Sequence, residues 1–253
     1  MCGRYAATKN PAALVQEFEA LDETGGQARE TDYNVAPTKN VVTVVQRHPR
    51  DAEGTVLEDE PAVRSLRVMR WGLVPFWAKD PSVGNRMINT RAETATEKPA
   101  FKRALAKRRC LVPADGWYEW RRDGKKKEPF FMTGPGLAFA GIWESWRDKK
   151  DSDEAAEPLI TFSIITTDAI GQLTDIHDRM PLLMTRDKWA TWLDPDRDEV
   201  GELLTPPRDL VDTLELRPIS DKVNNVRNNG PELLERVETG QADLDTPLFD
   251  LPK

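Results

Sequence analysis

The chain is 253 residues long and carries 36 Lys and Arg against 43 Asp and Glu, a formal charge of −7. At roughly 150 residues per domain this makes one large domain or two small ones, able to bury on the order of 70–75% of the unfolded surface without disulfide or metal staples. With 39% hydrophobic residues and 8 Trp, it is too apolar for an intrinsically disordered chain. Two cysteines, Cys2 and Cys110, and two histidines, His48 and His177, show no ligand spacing, so no metal and no cofactor is expected and both thiols should be reduced. No apolar run approaches the roughly 20 residues of a membrane span, and the N-terminus MCGRYAATKN lacks a signal-peptide core. The expected location is the cytoplasm, on the nucleoid when bound to DNA, or the nucleus in a eukaryote.

Taken in chain order, residues 11–21 place Leu14, Phe18 and Leu21 at helical spacing behind an Asn10 cap and Pro11. Residues 41–45 and 63–71 read as strands, with a polar, acidic loop at 46–62 between them. Residues 98–109 suggest a basic helix with Phe101 and Leu105 inward. Two aromatic-rich runs within 117–132 flank Asp123-Gly124, a hairpin signal. Strands follow at 137–146 and 159–167, helices at 186–193, 207–214 and 231–237, and a strand at 214–219. Many strands in succession, with helices inserted singly, predict one α+β domain on a curled, mostly antiparallel sheet of barrel-like form with peripheral helices. That domain should span residues 1–238, with an acidic, loose tail at 239–253.

Charge is distributed unevenly. Residues 1–128 balance at +5 and residues 129–253 at −12. Basic residues cluster at Lys102, Arg103, Lys107, Arg108 and Arg109, then at Arg121, Arg122, Lys125, Lys126 and Lys127. This is either a solvated face or a surface for a polyanion; the net −7 argues against tight, indiscriminate binding to duplex DNA.

Cys2 is informative through its position. Once Met1 is removed, it carries an α-amine and a thiol on adjacent carbons. An α-amine titrates near 7.7–8.0, so roughly 10–20% is neutral at pH 7, against some 0.04% of a lysine. A neutral amine attacks an aldehyde to give a Schiff base, and the adjacent thiol can close on the imine carbon as a thiazolidine. Three distant segments bear on this. In RMINTRAET, at 86–94, Asn89, Arg91 and Glu93 alternate and share a face if the segment is extended. Glu119 stands between Tyr118 and Trp120, where burial would raise its pKa towards that of an acid/base group. In DIHDRMP, at 175–181, His177 and Arg179 occupy a loop before a strand. Taken singly, each has a plain alternative: an incidental Cys2, a hairpin surface charge for Glu119, a loop-capping side chain for His177.

Six motifs occur in order: MCGRY at the start, YNVAP at 33–37, WGLVPFWA at 71–78, INTRAET at 88–94, DGWYEW at 115–120 and DIHDRMP at 175–181. Together they closely resemble the SRAP family, the abasic-site processing proteins also called SOS-response-associated peptidases. The resemblance implies a sensor of abasic (AP) sites in single-stranded DNA that joins them covalently to the N-terminal Cys as a thiazolidine and so shields the lesion. It implies Cys2 as nucleophile, Asn89 positioning its amine and the sugar, and Glu119 and His177 handling protons. Arg4, Asn34, Arg91 and Arg179 match positions along the DNA path, and Pro37 and Trp77 the wedge against the bases. Phe76 stands where relatives can carry a second Trp, which leaves a smaller stacking surface. The partner expected is single-stranded DNA with abasic sites, with no membrane and no metal, bound by a monomer. Two other readings stay open. One is a thiol peptidase using Cys2, His177 and Glu119, with removal of its own Met1 as the narrower case. The other is a non-covalent single-strand binding module with an inert Cys2.

Overall fold

Five strands close into a mixed barrel, and a separate five-stranded antiparallel sheet stands against it. The computed structural model describes residues 2–28, 31–124, 126–148 and 157–238. The expected tail at 239–253 lies outside the described residues. In chain order the strands are β1 (Tyr5–Ala7), β2 (Leu21–Asp22), β3 (Asp32–Val35), β4 (Asn40–Arg47), β5 (Val63–Trp71), β6 (Asn89–Arg91), β7 (Arg109–Pro113), β8 (Gly116–Asp123), β9 (Lys126–Thr133), β10 (Ala138–Trp146), β11 (Leu159–Asp168), β12 (Arg179–Pro181) and β13 (Glu215–Pro218). The helices are α1 (Pro11–Phe18), α2 (Ala92–Ala95), α3 (Pro99–Lys107), α4 (Trp189–Leu193) and α5 (Arg208–Asp212).

The barrel runs β5-β4-β7-β10-β11 with antiparallel joints, and a parallel joint closes it where Thr161 meets Arg70 and Phe162 meets Trp71. The second sheet is ordered β13-β9-β8-β1-β3, so the short N-terminal strand is flanked on both sides, with Tyr5 opposite Val35 on one side and Trp117 on the other. Val41, Val45, Met69, Phe139 and Phe162 of the barrel share a core with Tyr5, Val35 and Trp117 of this sheet. The opposite barrel face, with Val44, Leu66, Leu111 and Ile142, packs under Leu14 and Phe18 of α1, Phe101 and Leu105 of α3, and the Trp pair of α4. This is the α+β, barrel-like single domain that the strand succession predicts.

Helix α1 forms where its cap and proline place it. Asn10 Oδ1 accepts the Ala13 N–H at 2.9 Å, and Phe18 stacks on Trp189 with ring centroids 4.3 Å apart. The hairpin turns at Gly124, whose φ of +57° is a left-handed conformation that glycine adopts without strain. Gly72 and Gly84 meet back to back: a Cβ on Gly72 would lie 2.6 Å from the Gly84 oxygen, and one on Gly84 2.4 Å from the Gly72 oxygen. That approach anchors the turn bearing Phe76 and Trp77.

Some expectations are corrected. The helix predicted at 231–237 is a single 3₁₀ turn over Pro231–Leu234, because only Leu233 is buried and no apolar stripe holds a longer helix down. The helix at 207–214 shortens to α5, and that at 186–193 splits into a 3₁₀ turn and α4. Helix α3 stops at Lys107 because the chain enters the barrel as β7. Part of the basic run there is structural. The Arg109 side chain is buried and donates to the carbonyls of Leu105, Trp192 and Arg197, while Arg108 pairs with the buried Glu144.

Candidate active site

Cys2 precedes β1, and β1 lies beside β8 with Tyr5 opposite Trp117 and the Arg4 carbonyl accepting the Tyr118 N–H at 3.0 Å. Continuing that register brings Gly3 level with Glu119 and Cys2 close to it. Cys2 is fully buried. Burial, with the Glu119 charge adding to it, holds its thiol well above the ordinary cysteine value. Asn89, delivered by β6, donates from Nδ2 to the Cys2 carbonyl at 2.8 Å. Its Oδ1 is also buried and accepts from no group among the described residues.

Glu119 is at the middle of β8, its side chain 4% exposed. Burial lifts its carboxyl to about 7. His177 follows the 3₁₀ turn Gly171–Asp175, and its Nε2 stands 3.9 Å from Glu119 Oε2. Its Nδ1 takes the Arg179 main-chain N–H at 2.9 Å, which leaves the neutral ring's proton on Nε2, towards Glu119. Asp178 Oδ1, on an exposed side chain, is 2.7 Å from the same Nδ1 and becomes its partner when the ring is charged. Burial, aided by the nearby Arg122 charge, holds the imidazole below its usual pKa. Both groups open on a cleft of about 460 Å³ lined by Glu119, Trp120, Arg122, Lys127, His177 and Asn224.

Cys2, Asn89, Glu119 and His177, far apart in sequence, are thus brought together. The residues expected along a DNA path divide. Trp77 and Phe76 are 48% and 45% exposed on their turn, with the Arg103 guanidinium 4.7 Å from the Phe76 ring. Arg91 is exposed and Pro37 half-buried. Asn34 is not on a surface. It is fully buried, its Nδ2 lying 3.0–3.3 Å from the carbonyls of Val223, Asn225 and Asn228. Arg4 donates to Asn34 Oδ1 at 2.6 Å and to the Val223 carbonyl at 2.8 Å. Together they fasten the segment 221–229, which also accepts the Trp120 indole N–H on Asn224 Oδ1 at 2.8 Å. Arg179 is held by Glu93 at 2.8 Å, by Asp168 at 2.5 Å and by the Thr166 carbonyl at 2.8 Å. The alternation expected through Asn89, Arg91 and Glu93 ends at Ala92, where α2 begins, so Glu93 turns to Arg179 instead of sharing the Asn89 face.

The motifs do not include Asn224, and nothing in them separates Arg122 and Lys127 from their basic run. The Asn-rich stretch KVNNVRNNG at 222–230 is the sequence signal for the first. Among the described residues, no three His, Cys, Asp or Glu gather in a way that could hold a metal, and no helix is long and apolar enough to cross a membrane.

The arrangement has counterparts. The sequence model of the family described as SOS response associated peptidase (SRAP) matches residues 1–226. Abasic site processing protein YoqW of Bacillus subtilis (strain 168) is 36% identical over 242 residues, covering 93% of this chain and 99% of its own. Abasic site processing protein HMCES of Xenopus tropicalis is 30% identical, covering 94% of this chain and 78% of its own. A solved structure from Bacteroides thetaiotaomicron superposes with a TM-score of 0.77 at 24% identity, covering 94% of this chain and 100% of that one, a likeness of fold. A match over most of its length, with these relatives, places the chain in the SRAP family.

Proposed function

We propose that this protein processes abasic sites in single-stranded DNA by capturing them covalently on Cys2 once Met1 has been removed. The observation that carries the reading is the grouping of a buried Cys2, the Asn89 amide on its carbonyl, and the Glu119–His177 pair, which opens on a cleft. The names of the curated relatives support the substrate class.

The chemistry follows from the groups present. The freed α-amine adds to the aldehyde carbon of the ring-opened sugar, and the carbinolamine loses water to leave an imine. The thiol then adds across the C=N bond. Sulfur bonds to carbon, the thiol proton ends on nitrogen, and a thiazolidine results. Glu119, with a pKa near 7, can take and return the protons that ring opening and dehydration move. His177 relays them to the cleft. Asn89 fixes the terminal residue, and its buried Oδ1 is available to an N–H of the freed amine. Capture by the amine first suits a thiol held well above its usual pKa. A thiol peptidase would need the thiolate that this environment disfavours.

The test is incubation with a single-stranded oligonucleotide treated with uracil glycosylase. A heat-stable shifted band is expected, with the adduct mapping to the N-terminal peptide by mass spectrometry. Cys2→Ala should give no band while retaining most of the single-strand affinity. A band at wild-type yield from Cys2→Ala would overturn the proposal.

A further inference from the structure

Two of the arginines that the motifs single out have internal partners for their side chains. Arg4 and Arg179 are occupied inside the protein, the first by Asn34 and two main-chain carbonyls, the second by Glu93, Asp168 and Thr166. Releasing either to a ligand would break an internal network. The β8–β9 hairpin offers a different pair. Its register sets Arg122 directly opposite Lys127, and both are exposed and line the cleft with Glu119 and His177.

Like charges directly opposite on neighbouring strands destabilise a hairpin. The other face of this hairpin avoids that: Glu128, opposite Arg121, pairs with Arg121 at 2.6 Å and with Lys126 at 2.7 Å. On the face bearing Trp120, Arg122 and Lys127, no carboxylate among the described residues pairs with either cation. Neither Arg122 nor Lys127 makes an ion pair or side-chain hydrogen bond among the described residues. The unbalanced pair therefore stands where an anion of the substrate would balance it.

We infer that Arg122 and Lys127 form a phosphate subsite at the mouth of the cleft, gripping the phosphodiester next to the captured sugar. The inference rests on the reading of the protein as an AP-site capturing protein and adds to it the residues that hold the strand in place. A guanidinium presents a fork that matches two phosphate oxygens, and an ammonium beside it supplies a second point charge. Arg122 and Lys127 line the same cleft as Glu119 and His177, which places the subsite beside the proton-handling groups. Trp120, tied to Asn224 between them, forms the wall along which the strand runs.

The experiment uses the full chain and an intact single-stranded oligonucleotide with no abasic site, so that binding is read apart from chemistry. Fluorescence anisotropy is measured across a salt series for wild type, Arg122→Gln, Lys127→Gln, the double variant, and Arg121→Gln as a control from the other face. Removing one phosphate contact should flatten the slope of log affinity against log salt by about 0.7, so the double variant should flatten it by about 1.4. Its affinity at low salt should fall at least tenfold, and Arg122→Lys should recover part of that fall. Arg121→Gln should change the slope by much less. Thermal melting checks the fold, and the double variant should melt no lower than wild type because a like-charge pair has been removed. An unchanged slope and affinity in the folded double variant would overturn the subsite. Failure of the AP-site reading is a separate result: no covalent adduct would form with wild type on lesion-bearing DNA, whatever the salt series gives.

Discussion

The floor and the mouth of the cleft are built on opposite principles. On the floor, burial sets the chemistry. The Glu119 side chain is 4% exposed and its carboxyl is lifted to about 7, while the neighbouring Cys2 thiol is pushed higher still. At the mouth, His177 is 28% exposed and depressed below its usual value, with cationic side chains beyond it. Two groups 3.9 Å apart are thus moved towards one another from opposite ends of their ordinary order. Near neutral pH the carboxyl is therefore poised to give as well as to take a proton, and the depressed imidazole favours its neutral form.

Glu119→Gln breaks the comparison hardest. Its capture rate on AP-site DNA should fall by roughly 10²–10⁴-fold, the usual contribution of a general acid–base group. The fall should be smaller on an oligonucleotide bearing a stable open-chain aldehyde, for which no ring need open. His177→Ala should slow both substrates to a similar extent. Initial rates in a gel time course check this, and an equal fall on both substrates for Glu119→Gln would assign that residue to the later proton transfers.

A second measurement sharpens it through stability. Folding raises the Glu119 pKa from the usual carboxylate range to about 7, so the native state binds more protons than the unfolded chain between those values. The contribution of Glu119 is complete below the unfolded pKa and is lost as pH rises through about 7, by an amount on the order of 3 kcal/mol. Urea midpoints from about pH 4.5 to pH 8 should therefore fall more steeply for wild type than for Glu119→Gln. Parallel curves would mean that the carboxyl is wetter than its surroundings imply.

The smallest effect concerns the frame around both regions. Asn34→Ala takes one acceptor from Arg4 Nη1 and one donor from each of the Val223, Asn225 and Asn228 carbonyls, leaving the last without its Asn34 donor while the first two keep Arg4 and the Asn228 N–H, and should destabilise the protein by about 1–3 kcal/mol. Denaturant titration reads the destabilisation. Hydrogen exchange should locate it in that segment and along Trp120, with the barrel unaffected.

Much of this arrangement is legible in the sequence. The Asn10-Pro11 start of α1, the turn at Gly124, and the long strands β4, β5, β10 and β11 follow from capping, turn chemistry and apolar patterning. The four residues grouped around Cys2 and Glu119 follow from ordered motifs. Of the short strands β13 shows, at 214–219, but β1, β2, β3 and β6 do not, because two to four residues carry no periodicity and their pairing is supplied from far along the chain, as when Asn89 meets Ile164. The direction in which a polar residue points is equally hidden. Asn34, Arg4 and Arg179 belong to the motifs of a DNA path by type, yet their side chains serve internal carbonyls and carboxylates. Arg122 and Lys127 look like part of a solvated charge run. Only the register of the hairpin separates them from Arg121 and Lys126, whose charges Glu128 answers.

The place of β1 between two partners has a consequence in time. Its neighbours are β3 and β8, and the groups around Cys2 come from β6, from β8 and from the loop holding His177, so most of the chain must exist before that environment can form. Pairings of such long sequence separation form slowly. During synthesis the first residues are a solvated, accessible end, open to the removal of Met1. They become dry only when β8 arrives and β1 slots between its partners. The molecule therefore completes the surroundings of Cys2 late, and a chain cut short before His177 would carry Cys2 without part of them.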